Sequence, residues 1–261
     1  MRMKEKIFMF IFLMIFLLTL SGNNALTPRI FAQNNDSSRN VPRTVLVELF
    51  VQEGCRTCPT AEFCLEDLAW EYGTSKFILV QEHLWGDGYD TPETNARYDW
   101  YVGDSKKGTP DVFIDGLTKR LQGLSCDCVE GNYECYKDVI DEELTRSSLL
   151  ELSIYQNIVE PDGIIEGTVK NTSDTPLKDL VVCGMVGKER DEPGLYFYIQ
   201  DIFPFQNMPL LLPGATFNFK FIPEISLTPK SEIDNEKEIL HLVIFVQNTE
   251  TKEVLQALYI E

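Results

Sequence analysis

The stretch Thr44-Val45-Leu46-Val47-Glu48-Leu49-Phe50-Val51-Gln52-Glu53-Gly54-Cys55-Arg56-Thr57-Cys58-Pro59 organises the chain. Val45 to Val51 is a short apolar run, rich in β-branched residues, of the kind a buried strand needs. Gly54 marks a turn, and Cys55 and Cys58 follow it. Pro59 suits the first turn of a helix, where its missing N–H has no intrahelical partner anyway. Ala61, Cys64, Leu65 and Leu68 then recur at helical spacing down to Tyr72-Gly73. The order strand, turn, two cysteines, helix puts both sulfurs at a helix N-terminus. The unpaired N–H groups and the macrodipole there favour an anion. A thiolate at that point has a lowered pKa, and Arg56 between the cysteines acts in the same direction.

Strand, Cys-x-x-Cys-Pro and helix resemble the active site of thioredoxin-fold thiol-disulfide oxidoreductases. Gly108-Thr109-Pro110-Asp111, leading into Val112-Phe113-Ile114-Asp115-Gly116, resembles that family's segment with a cis-proline before a strand, packed beside the cysteine pair. A trans proline opening a strand is the plainer reading. The resemblance implies a Cys55–Cys58 disulfide, with Cys55 attacking and Cys58 resolving, and Thr109 and Pro110 beside them. It also implies a role for Glu48 as a buried carboxylate under the resolving cysteine that relays its proton. Glu48 exposed on an edge strand is the alternative. His83, at the end of the next strand, is a candidate to tune the thiolate or accept a proton, against a plain structural histidine. Trp85 and Trp100 either line the approach to Cys55 or belong to the core.

The spacing predicts βαβαββα over residues 43–147: strands at 45–51 and 76–85, a helix over 94–102, a hairpin across Asp115-Gly116 and a helix over 134–146. From Ser148 the period changes to alternation. Seven short strands separated by turn clusters are expected, around 150–156, 163–170, 180–186, 195–199, 215–221, 240–247 and 254–260. The fold expected is an α/β thioredoxin-like domain (43–147) followed by an all-β immunoglobulin-like sandwich (148–261).

The N-terminus reads as a secretory signal peptide over residues 1–32: a basic start, an apolar run from Ile7 to Leu20, and a small-residue exit. That run is short for a membrane span. An uncleaved anchor is the alternative. Residues 33–42 read as a polar linker. Both readings place the remainder outside the cytoplasm, periplasmic or secreted, where disulfides persist.

Seven cysteines leave five beyond the Cys-x-x-Cys pair. Cys64 and Cys183 lie on apolar stripes and read as core thiols. Cys126, Cys128 and Cys135 crowd one loop, where a Cys128–Cys135 or Cys126–Cys135 disulfide is expected. A zinc site there is the weaker alternative, since Cys-x-Cys-x6-Cys matches no common zinc spacing. No cofactor is expected. With 23 basic against 41 acidic residues the net charge is −18, which argues against nucleic acid or an anionic membrane surface as partner. The function expected is disulfide exchange with exported cysteine-containing proteins or a redox partner protein. The alternative is a non-catalytic envelope protein, binding or structural, that uses the fold as a scaffold.

Overall fold

A computed structural model describes residues 41–123, 133–157, 163–189, 196–222 and 240–260. The signal peptide expected over 1–32, most of the linker, and Cys126 and Cys128 lie outside them. The first half carries the elements its periodicity predicts. Strand β1 is Val45–Val51, helix α1 Cys58–Tyr72, strand β2 Phe77–His83 and helix α2 Pro92–Val102. Strands β3 (Asp111–Ile114) and β4 (Lys119–Gln122) form the hairpin, and helix α3 is Glu134–Leu144. Strands β5 (Leu150–Asn157), β6 (Ile165–Asn171), β7 (Leu180–Lys188), β8 (Tyr196–Ile202), β9 (Gln206–Asn207), β10 (Thr216–Phe221), β11 (Leu240–Asn248) and β12 (Val254–Ile260) complete the chain.

The assembly corrects the expected fold class. There is no α/β thioredoxin-like domain followed by a separate immunoglobulin-like sandwich. Strands from both halves share one mixed sheet in the order β12-β11-β7-β8-β2-β1-β3-β4, with β9 on β7, and only β10-β6-β5 form a second sheet. The seam is β2, which pairs in parallel with β1 on one side and with β8 on the other (Leu79↔Tyr196, Gln81↔Tyr198). All described residues belong to one compact unit. The physical reason lies in β7 and β11. Nearly every residue of Leu180–Val186 and His241–Val246 is buried, so these strands are covered on both faces. A two-layer sandwich with solvent outside would bury only alternate residues.

The alternation along each strand divides the interior. Odd positions of β1 (Val45, Val47, Leu49, Val51) pack under α1 and α3 with Leu65, Leu68 and Ile140. Leu46 faces the other way, into a core with Ile78, Val80, Cys183, Phe197, Phe245 and Val254. Even positions of β7 and β11 pack on the small sheet through Val169, Phe219 and Phe221. The long sheet curls, so that β12 reaches β3: the Val254 N–H donates to the Asp115 carbonyl (3.0 Å). Arg43 bolts this corner, with Nε 2.7 Å from Asp115 Oδ2 and a guanidinium N–H to the Val254 carbonyl (2.7 Å). Gly116 has φ +69°, and a Cβ there would lie 1.9 Å from the Lys252 carbonyl oxygen.

A second charged cluster, besides Arg43 and Asp115, is buried in this frame. Arg97 of α2 is paired with Glu48 of β1 and lies 3.9 Å from Glu82 of β2. The Tyr101 hydroxyl donates to Glu48 Oε2 (2.6 Å), and Gln247 of β11 donates to Tyr101 (2.7 Å). No donor reaches either oxygen of Glu82. Burial, then the charge of Glu48, push the Glu82 carboxyl well above the usual range. Held as an acid, Glu82 can itself donate to Glu48. Among the described residues no helix is long and apolar enough to cross a membrane.

Two outcomes follow from this packing. Gly116→Ala should destabilise the protein by about 2–3 kcal/mol, read by denaturant unfolding. A Glu82 pKa raised above its unfolded value means the folded state binds the extra proton. Its stabilising share is complete below about pH 4 and is lost as pH rises through the folded pKa. Asp115, raised by burial to about 7 against the pull of Arg43, adds a fall of the same sign up to that pH. Between about pH 4 and the folded pKa of Glu82, unfolding free energy should fall less steeply with pH in Glu82→Gln than in the wild type, read by denaturant unfolding across that range.

Candidate functional site

Gly54 takes φ +79°, which glycine adopts at no steric cost, and turns the chain out of β1. The Cys55 N–H donates to the Gln52 carbonyl (3.1 Å), closing the turn. Helix α1 then starts at Cys58 with Pro59 in its first turn, and its N-cap Thr57 makes no side-chain capping bond. The Cys55 sulfur takes that acceptor role: the Cys58 N–H points at Cys55 Sγ, 3.1 Å away. Cys55 and Cys58 are joined in a disulfide with their Cα atoms 5.5 Å apart. Cys58 is 2% exposed, while Cys55 is only half-buried and has the Thr57 hydroxyl 3.8 Å from its sulfur. Cys55 is therefore the less buried residue of the pair, and its sulfur sits where a helix N-terminus favours negative charge.

The Thr109–Pro110 peptide is cis. Phe50 pairs with Asp111 across β1 and β3, so Pro110 continues the register to the level of Val51, the end from which the chain runs to Cys55. Thr109 is half-buried and Pro110 buried. Asp111 anchors this segment. Its carboxylate accepts from Tyr98 (2.8 Å), Gln122 (3.1 Å) and Arg120 (2.6 Å). Burial raises the Asp111 pKa, outweighing Arg120 and Tyr98, which pull it down. The Tyr98 hydroxyl also accepts the Gly108 N–H (3.0 Å).

His83 lies at the same end of the sheet, opposite Val51. Its ring bonds Asp87 through Nδ1 (2.6 Å) and meets the rings of Tyr89 and Tyr198 at centroid distances of 5.1 and 6.1 Å. Tyr198 comes from β8, so the C-terminal half of the chain contributes to this edge. Trp85 stands here too, 41% exposed, its ring edge-on to Tyr98.

Two expected site residues lie elsewhere. Glu48 is buried, but on the face of β1 opposite Cys58: the cysteine packs with Val47, Leu49 and Val51, whereas Glu48 pairs with Arg97. It cannot relay a proton under Cys58. Trp100 is 38% exposed and neither core nor near Cys55. Its carbonyl accepts from Lys252 (2.5 Å) at the Asp115 corner, the far end of β1. Cys64 is not a core thiol, because it is disulfide-bonded, as is Cys135. The expected pairing partners of Cys135 lie outside the described residues. Cys183 is a free, buried thiol, raised to about 12 by burial. Among the described residues no group of three or more His, Cys, Asp or Glu side chains could hold a metal ion.

Asp87 and Asp111 were not singled out by the sequence reading. The signal the sequence offers for Asp87 is its place in Gly86-Asp87-Gly88, since an Asp in a glycine turn is a recurrent acceptor for that turn's own amides.

No protein-family model matches the chain, and a search of the curated proteins finds no match either. Among solved structures the chain is similar to HBP35 of Porphyromonas gingivalis, at 18% identity and a TM-score of 0.60, covering 84% of this chain and 75% of that one. Coverage of that extent spans both halves of the sequence, in keeping with the shared sheet. Weaker likenesses are to a domain of the outer membrane lipoprotein Omp28 from Porphyromonas gingivalis (15% identity, TM-score 0.29, 44% of this chain and 88% of that one). The β-glucuronidase 2 of Bacteroides uniformis is at a similar level (18%, 0.30, 42% and 12%). At these identities the first likeness speaks to the fold alone.

Proposed function

We propose that this protein exchanges disulfides with cysteine-containing polypeptides through Cys55 and Cys58, outside the cytoplasm. One observation carries the reading: Cys55, a half-buried residue bonded to a buried Cys58, receives at its sulfur an N–H from the first turn of α1. In one direction, a partner thiolate attacks Cys55 Sγ. A bond forms between the two sulfurs, the Cys55–Cys58 bond breaks, and Cys58 leaves as a thiolate that takes a proton from solvent. The partner's second thiolate then attacks its own bonded sulfur, so that Cys55 leaves as a thiolate. The partner is oxidised by two electrons and the pair is reduced. The reverse sequence begins with the Cys55 thiolate attacking a partner disulfide, and Cys58 resolves it.

The half-exposed position of Cys55 favours it as the sulfur attacked or attacking, since exchange depends on access as well as on thiolate character. The basic, apolar and small-residue order of the N-terminal segment supports export to the periplasm or beyond. The oxidised state of Cys64 and Cys135 accords with such a compartment.

Cys55→Ser should lose insulin reduction and ribonuclease reoxidation down to the uncatalysed background while keeping its fold. Full activity in that variant would overturn the reading and leave the scaffold role.

A further inference from the structure

The loop that delivers Cys55 is tied down from outside. Glu53 and Gly54 are exposed, so core packing does not hold them. The tie is Asp87, whose carboxylate is 2% exposed. Its Oδ2 accepts the Glu53 N–H (2.9 Å) and bonds His83 Nδ1 (2.6 Å). Its Oδ1 accepts the N–H groups of Tyr89 (2.9 Å) and Asp90 (3.1 Å). One side chain thus joins the cysteine loop, the end of β2 and its own turn. His83 is in turn fixed by Tyr89 and by Tyr198 of β8.

From this geometry we infer that Asp87 is a positioning residue for the Cys55–Cys58 pair, holding the Gln52–Gly54 turn so that Cys55 Sγ faces the Cys58 N–H. The inference rests on the exchange function proposed above. A cysteine loop already in place presents the helix N–H to the thiolate without a search through loop conformations, which favours the thiolate and speeds attack. Burial opposes ionisation of Asp87, but bonds from His83 and the Tyr89 and Glu53 amides outweigh it and lower its pKa. The carboxylate is therefore present as the acceptor the geometry needs.

Asp87→Ser separates the bridge from the turn. Serine keeps a side-chain oxygen for the Tyr89 and Asp90 amides but is too short to reach Glu53. In reduced protein, the Cys55 thiolate pKa, read by ultraviolet absorbance, should move up. The exchange rate with a peptide disulfide should fall about tenfold or more, with the thermal midpoint near that of the wild type. Wild-type values of both pKa and rate in Asp87→Ser would overturn the inference. If the wild type itself shows no exchange, the proposed function fails alone, and the thiolate titration still decides the role of Asp87. Should the variant not fold, amide exchange in the wild type decides. Glu53 is exposed, so slow exchange of its N–H supports the bridge, and exchange at the solvent rate overturns it.

Discussion

The pairing of β2 with β8 is the constraint from which the rest of this architecture follows. A strand buried on both faces cannot leave a row of N–H and C=O groups unpaired along either edge. β1 covers one edge of β2, and β8 covers the other. Because β8 also pairs with β7, and β7 with β11, the sheet runs on through the second half of the chain. It then curls until β12 meets the Asp115 corner. The edge that carries Cys55 and His83 depends on this. Tyr198 of β8 contacts both His83 and Tyr89, so the second half is part of the frame that holds the cysteine loop.

The buried charges serve the same junction. Arg97 comes from α2, Glu48 and Glu82 from adjacent strands, and Gln247 from β11. Buried ion pairs are weak evidence for stability, but one left incomplete costs several kcal/mol. Such a cluster therefore penalises any arrangement in which α2 and β11 do not both reach β1. The raised Glu82 pKa favours its neutral form, which lets two carboxyls and one guanidinium share a small buried space without a second full negative charge.

What could be read in the sequence was local. The strand, the glycine turn, the two cysteines and Pro59 are contiguous, and their order alone places both sulfurs at the start of α1. The candidate strands of the second half were also visible as alternating or apolar runs. Sheet membership was not, because period and turn residues do not name the neighbour of a strand edge. The unbroken apolar runs of β7 and β11 were the available clue, since a sandwich strand with a wet face would alternate. Glu48 shows the same limit at one residue. Alternation separates it from Val47 and Leu49, but only the packing of Ala61 and Leu65 onto the odd positions shows which face carries Cys58. Asp87 is barely legible in the sequence because three of its four bonds go to backbone amides, and its one side-chain partner is His83.

The claim that the Cys55 sulfur is an accessible exchange centre is tested most directly by trapping. A reduced Cys58→Ser variant lacks the resolving thiol, so a mixed disulfide formed at Cys55 cannot be released by its neighbour. Incubated with a peptide disulfide and analysed by intact-mass and peptide mapping, the folded variant should carry one peptide adduct on Cys55. A folded variant that acquires no adduct there would contradict the account.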